Sequence, residues 1–278
     1  MQKIISLVFA SILCTFNLAQ STTLTTSFES LNFNNSKKKD EGIRYRVGLD
    51  YQRDKHFFQM LYGRTNTSTF QPPLSDDLHV NKVYLKYRHQ WHEKQSFHIS
   101  YATIDDNLMK ETDGGDIYGA GYGYGPFDIT QYLSAYKHFD VYQTDIKYTL
   151  RKKFNNVLTK ATVIGKYLHL ENKNSNNFSR NADDDYFTAG LKLHAKYNKF
   201  HLGAGAFWGK RIFAVMNDGF RVQHHAMEFN KTYMFGMSRQ FGKADLKLRY
   251  IYQEATEVPI QNDNVTLSII ILQLRYEF

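Results

Sequence analysis

The 278-residue sequence predicts an all-β fold: a single transmembrane antiparallel up-and-down β-barrel of about 14 strands, with 12 as the alternative count. Three observations predict it. Apolar and polar residues alternate through many consecutive segments, as in strands with one greasy face and one polar face. Short and long polar connections alternate between those segments. No apolar stretch after residue 19 approaches the ~20 residues a membrane helix needs, and the mean hydropathy of −0.52 is low, so membrane crossing is left to strands. Backbone groups in lipid must all be paired, which restricts such strands to a closed barrel.

The chain opens with a positive start at Met1 to Lys3, an apolar core from Ile4 to Phe16, and Asn17-Leu18-Ala19, which offers a small residue for cleavage. Residues 1–19 are therefore read as a cleaved secretory signal peptide and 20–278 as the barrel. Lipoprotein processing would need a small residue before Cys14, where Leu13 stands. Cleavage removes Cys14, the sole cysteine, and with it any disulfide or thiol chemistry.

Strands follow in order. Leu24 to Phe33 is the first. Ile43, Tyr45, Val47, Leu49 and Tyr51 then share a lipid face opposite Arg44, Arg46, Gly48, Asp50 and Gln52, and a turn at 53–55 leads to Phe58, Met60 and Tyr62. Val83, Leu85, Tyr87 and Trp91 alternate with Lys82, Tyr84, Lys86, Arg88 and Gln90, before a turn into Phe97, Ile99 and Tyr101. Asp116 to Tyr124, Phe127 to Lys137, Phe139 to Leu150 and Val157 to Leu170 supply four more strands. The clearest hairpin is Tyr186 to Tyr197, turned by Asn198-Lys199 into Phe200, Leu202, Ala204, Ala206 and Trp208, with aromatics at both ends of the apolar face. Phe229 to Arg239, a strand around Leu246 to Gln253, and Val265 to Phe278 complete the set.

Short turns fall near 53–55, 92–95, 125–126, 151–156, 198–199 and 240–244; long polar connections fall near 34–42, 65–79, 105–115, 171–185, 210–226 and 255–264. Only a brief connection is available at Lys137 to Phe139. An even strand number with short turns on one side places both termini in the periplasm.

The chain ends Leu272-Gln-Leu274-Arg-Tyr276-Glu-Phe278, alternating to its last residue. This tail resembles the terminal assembly signal of Gram-negative outer-membrane β-barrels, with Phe278 matching the final aromatic and Tyr276 its partner two positions earlier. The resemblance implies a multi-pass protein of the outer membrane, folded by the barrel-assembly machinery and in contact with outer-membrane lipid and lipopolysaccharide. It names a class and not a substrate.

Lys and Arg number 35 against 27 acids, a net charge of +8. The alternation sends Arg44, Arg46, Lys82, Lys86, Arg88, Lys147, Lys160, Lys166, Lys192, Lys196, Lys247, Arg249 and Arg275 inward, against Asp50, Asp145 and Glu277. A water-filled lumen lined this way concentrates anions. Fourteen strands about 4.8 Å apart and tilted about 40° enclose a cylinder on the order of 28 Å across, leaving roughly 10–15 Å inside the side chains. Glycine rows at Gly119, Gly121 and Gly123, and at Gly203, Gly205 and Gly209, argue for room inside or equally for relief of barrel curvature. With Tyr84 and Phe207 facing inward, the pore character resembles oligosaccharide porins that take acidic sugars. The expected function is a porin-like channel for passive diffusion of small hydrophilic, preferentially anionic solutes. The alternative is a non-conducting structural or adhesive barrel.

A third reading is a lipid hydrolase. His98-Ile99-Ser100 puts an imidazole and a hydroxyl on one side of a strand and resembles the His-x-Ser of outer-membrane phospholipases and lipid A deacylases, but Tyr101-Ala102 departs from the phospholipase pattern and the pair faces inward. The chain is accordingly read as non-enzymatic. Asp105-Asp106 and Asp183 to Asp185 could attract divalent ions, but solvated loop tips explain them as well. His224-His225 lacks metal-ligand spacing. No cofactor motif is present, and cations held in a membrane lumen leave no nucleic-acid surface.

Overall fold

A computed structural model describes residues 21–72, 74–109, 112–172, 182–223 and 225–278; the expected signal peptide at 1–19 lies outside them, as do residues 173–181 of one long connection. Among the described residues the strands are β1 (Ser21–Asn34), β2 (Lys39–Arg53), β3 (His56–Thr69), β4 (Leu78–His92), β5 (Gln95–Asp106), β6 (Gly115–Tyr124), β7 (Phe127–Ala135), β8 (Phe139–Phe154), β9 (Val157–Asn172), β10 (Asp185–Tyr197), β11 (Phe200–Arg211), β12 (Val215–Met216), β13 (Arg221–Val222), β14 (Met227–Phe241), β15 (Ala244–Glu257) and β16 (Asn262–Glu277). Fourteen of them close into one antiparallel barrel, each next to its neighbour in sequence; β12 and β13 form a separate small hairpin. Closure is made by β1 against β16, in register from Thr23 opposite Glu277 to Asn34 opposite Thr266. The 14-strand count and the brief connection before β8 agree with the sequence.

The outside carries a broad apolar belt. Phe187, Leu193, Leu202, Phe235, Leu248, Ile270 and Leu272 are all exposed, as a lipid-facing belt requires. Aromatic pairs flank the belt: Tyr51 with Phe58 and Tyr276 with Phe278 at the short-turn end, Tyr101 with Tyr118 and Tyr167 with Phe187 toward the other. Such a surface is unstable in water and at home in a bilayer. The chain is a multi-pass β-barrel of the outer-membrane type.

Turn chemistry explains the tight end. Asp54, Asn155 and Asn198 open their two-residue turns in the left-handed region, as do Gly125 and Gly242, the residue types that tolerate it. The strands run past the segments that alternation marks. β8 continues to Phe154 and β3 to Thr69, because ladder pairing persists beyond the lipid-facing stretch that imposes the alternation.

The connection after β11 departs from the expected outer loop. It turns inward: Ile212, Phe213, Ala214, Val215 and Met216 are buried, and β12 and β13 lie within the lumen. A bulge in the pairing of β11 with β14, between Trp208 and Arg211, precedes this turn, and Gly209 there has φ +94, which suits glycine.

Candidate functional site

The inward hairpin and the wall it touches make up the candidate site. Its backbone is fixed first at β8, where the Val215 N–H donates to Gln143 Oε1 at 2.8 Å and Gln143 Nε2 donates back to the Val215 carbonyl at 2.8 Å. Lys166 on β9 donates to the same carbonyl at 3.0 Å while pairing with Asp145 at 2.5 Å. At the tip, Asp218 forms an ion pair with Lys147, Asn217 Oδ1 accepts from Lys192 at 2.9 Å, and the Tyr84 hydroxyl donates to the Asp218 carbonyl at 2.5 Å. Gly219, at φ +100, lies against the Tyr84 ring, where a β-carbon would collide. On the return strand, Lys82 donates to the Val222 carbonyl at 2.8 Å and Arg221 pairs with Glu29 of β1 at 3.1 Å.

These anchors define the path. In the cyclic strand order β1 and β8 are seven strands apart in either direction, hence diametrically opposed. A hairpin held by Lys147 on β8 and by Glu29 on β1 therefore crosses the lumen. Apolar packing backs it: Phe213 stacks near Phe139 and Tyr136, with ring centres 4.7 and 5.9 Å away, and Phe220 lies 4.9 Å from Tyr84.

Of the thirteen inward cations of the alternation, eleven fall into two groups, and Lys86 and Arg249 lie between these along β4 and β15. Arg44 and Arg46 pair with Glu29 at 3.0 and 2.7 Å, and Lys82, Lys147, Lys166 and Lys192 contact the hairpin. Lys86 and Arg249 are half-buried. Closer to the short turns, Arg88 lies 5.0 Å from the Phe57 ring centre, Arg275 reaches Asp50 at 4.0 Å, Lys196 and Lys247 are half-buried, and Lys160 is exposed. The structure thus brings six of the thirteen around the hairpin or its Glu29 anchor and leaves a second set near the opposite mouth.

Three carboxylates missed by the alternation balance part of this charge. Glu29 is fully buried, Asp128 pairs with Lys147 at 3.2 Å, and Asp218 arrives on the hairpin. Glu29 shares its face with Leu31 and Phe33, so its strand shows no apolar–polar contrast that marks it as inward. The hairpin did have a signal: Ile212 to Met216 is an unbroken apolar run of five residues inside a supposed polar loop. The first glycine row does not open the lumen: Tyr132 and His98 occupy the space over Gly119 and Gly121. In the second row Met234 lies against Gly205, while the space over Gly203 is free to 3.7 Å.

His98 is buried, its Nε2 is 3.2 Å from Thr130 Oγ1, and its Nδ1 is 4.0 Å from Asp128. The ring nitrogen a serine nucleophile needs is thus engaged by Thr130, inside the lumen and away from lipid. Asp106 spends its carboxylate on the Leu108 and Met109 N–H groups at 3.1 and 2.5 Å, and Asp185 accepts from Tyr167 at 2.6 Å. Among the described residues no group of three or more metal-ligating side chains exists; His224 lies outside them.

Comparison with known proteins agrees on architecture. No family model and no curated protein matches the sequence. Solved structures do match in shape. A Pseudomonas aeruginosa FadL homologue superposes with a TM-score of 0.55 at 8% identity, covering 93% of this chain and 90% of that one. The translocator domain of the autotransporter NalP from Neisseria meningitidis gives 0.51 at 10% identity over 99% and 95%. The fold is that of a Gram-negative outer-membrane β-barrel. The Acinetobacter baumannii outer membrane protein Omp33 gives 0.50 at 10% identity, over 94% of this barrel and 100% of its own chain. At such identities the likeness concerns the fold alone.

Proposed function

We propose that this outer-membrane barrel is a passive channel for small hydrophilic anions, narrowed by the lumenal hairpin. The observation that carries the reading is the run of inward cations, from Arg88, Lys160, Lys196, Lys247 and Arg275 near the short turns to Lys82, Lys147 and Lys192 at the hairpin. A lumen of this sign lowers the energy of an entering anion and raises that of a cation. The short-turn end faces the periplasm in this reading, and Tyr276 and Phe278 serve as the signal for the assembly machinery. No energy coupling is involved.

The second reading, a non-conducting structural barrel, is favoured by one observation: the hairpin and the apolar side chains around it fill the long-loop half of the lumen. Planar-bilayer recording separates the two. The channel reading expects discrete currents whose reversal potential in a potassium chloride gradient lies toward that of chloride. A folded barrel that passes no current, or one that prefers potassium, overturns it. Lipid hydrolysis by the purified protein would restore the enzymatic reading, against which the engagement of His98 by Thr130 already weighs.

A further inference from the structure

Arg211 is the last residue of β11, where the chain leaves the wall for the hairpin. It is 0% exposed; its Nη2 donates to Thr232 Oγ1 of β14, and its Nε and Nη1 have no hydrogen-bond partner. Among the described residues no carboxylate lies within ion-pair distance of it. Glu228, a buried acid of β14, pairs instead with Lys210 at 3.1 Å. Phe207 and Phe229 flank the guanidinium group, each ring centre 5.7 Å away, and Thr232 is a neutral hydroxyl that also accepts from Gln253 at 3.0 Å. Two aromatic faces and one hydroxyl replace only part of the solvation that a buried cation loses.

Other unfavourable features of the inward conformation fall on the same segment. Arg221 Nε and Gln223 Oε1 on the return of the hairpin, and Asn230 Oδ1 beyond it, are buried without hydrogen-bond partners. Phe213, Asn217 and Asp218 take left-handed backbone, at φ +52, +53 and +60, which a bulky side chain such as that of Phe213 disfavours. Opposing these are the apolar packing of Ile212 to Met216 and the anchors at Gln143, Lys147 and Glu29. A segment held inward by packing and pushed outward by buried polarity is suited to two positions. Phe207 belongs to the same apolar cluster as Ile212 to Met216, so lifting the hairpin strips one side of the cover from Arg211.

We propose that the hairpin is a movable gate and that Arg211, at its root, is an oxyanion sensor. When the hairpin lifts, the guanidinium group meets an inorganic oxyanion such as phosphate, and binding holds the gate open. The planar fork of N–H donors matches the oxygens of an oxyanion better than a spherical halide. A ligand that binds only the lifted state shifts the population toward it. The proposal rests on the reading of the hairpin as the constriction of an anion channel, yet its test reads motion and not current.

Hydrogen exchange followed by mass spectrometry needs no variant. In the unaltered barrel in detergent micelles, the segment 212–222 should exchange several-fold faster in phosphate than in chloride at equal ionic strength and pH, and the effect should saturate. The paired segments of β1 and β16 at the barrel closure should not respond. The Val215 N–H reports directly, because lifting the hairpin releases it from Gln143. Arg211→Met removes the charge at similar length: exchange at 212–222 should slow several-fold and lose its phosphate dependence, and the urea midpoint should rise. Arg211→Lys, which keeps the charge without the fork, should retain fast exchange with a weaker response to phosphate. Exchange that phosphate and chloride change alike, faster exchange in Arg211→Met, or a lower urea midpoint in that variant would each overturn the sensor. Should Arg211→Met fail to fold, the arginine supports the structure and the sensor is likewise refuted. A barrel whose hairpin responds to phosphate but carries no current keeps the sensor and loses the channel, and one that conducts with an indifferent hairpin does the reverse.

Discussion

Toward the long connections, β4, β9, β10 and β16 turn Val80, Leu168, Tyr186 and Ile269 inward, all buried; toward the short turns the same faces of the same strands carry Arg88, Lys160, Lys196 and Arg275. On the outside no such change occurs, and both halves present exposed aromatic and aliphatic side chains. The difference lies in what each face meets. Lipid imposes one requirement along the whole exterior, whereas the interior follows its local contents, protein in one half and solvent in the other. Inward residues therefore report on the filling of the lumen, and the switch along each strand marks where the hairpin begins.

The largest effect should come from removing the filling itself. Replacing residues 213–223 with a short glycine linker leaves the lipid face untouched, so the barrel should still insert and remain heat-modifiable, while single-channel current should rise several-fold. An unchanged current would mean that the constriction lies elsewhere. Charge reversal tests the contrast next. Arg46→Glu sets a second carboxylate beside buried Glu29 and should cost about 3–5 kcal/mol in urea unfolding, the range for breaking a buried pair. The combined reversal of Lys160, Lys196, Lys247 and Arg275 to glutamate should cost far less stability and instead move the reversal potential toward potassium. Equal destabilisation by both would erase the distinction between the halves.

Salt sharpens the same comparison without mutation. Chloride preference arising in a solvated lumen should fall between 0.1 M and 1 M salt, as the Debye length shrinks from about 10 Å to about 3 Å. A preference that ignores salt would assign selectivity to the closed half. The smallest effect is expected at the partly exposed tip. Asp218→Asn removes the ion pair with Lys147 at a carboxylate that is 46% exposed, leaves Lys147 its pair with Asp128, and should change stability by no more than about 1 kcal/mol. Its signature should be briefer closures in the current record, and a large stability loss would show that the tip pair, and not the apolar packing, holds the hairpin.

Much of the barrel was legible in the sequence because its exterior has a single solvent. Period-two alternation placed fourteen strands, and the short connections near 53–55, 198–199 and 240–244 marked the tight end. The faces of Arg44, Arg46, Lys82 and Lys166 also followed from parity alone, since one fixed lipid-facing neighbour fixes the rest of a strand. The candidate site was legible only in part. Its cations were found, but Glu29 was not, because its inward neighbours Leu31 and Phe33 are as apolar as a lipid face. The five-residue apolar run at 212–216 hinted at burial and gave no indication of where.

By itself, then, the sequence determined the period, the number of strands and the side of the sheet on which the strand cations lie. All of these are local consequences of a chain that alternates between lipid and interior. Tertiary structure decided which groups share the interior: Glu29 and Arg221 stand 192 positions apart, and they meet because barrel closure sets β1 opposite β8 and the loop after β11 folds back between them. Closure and register are cooperative properties of the whole sheet, so contacts across the lumen depend on all fourteen strands at once and leave no short-range pattern in any one of them.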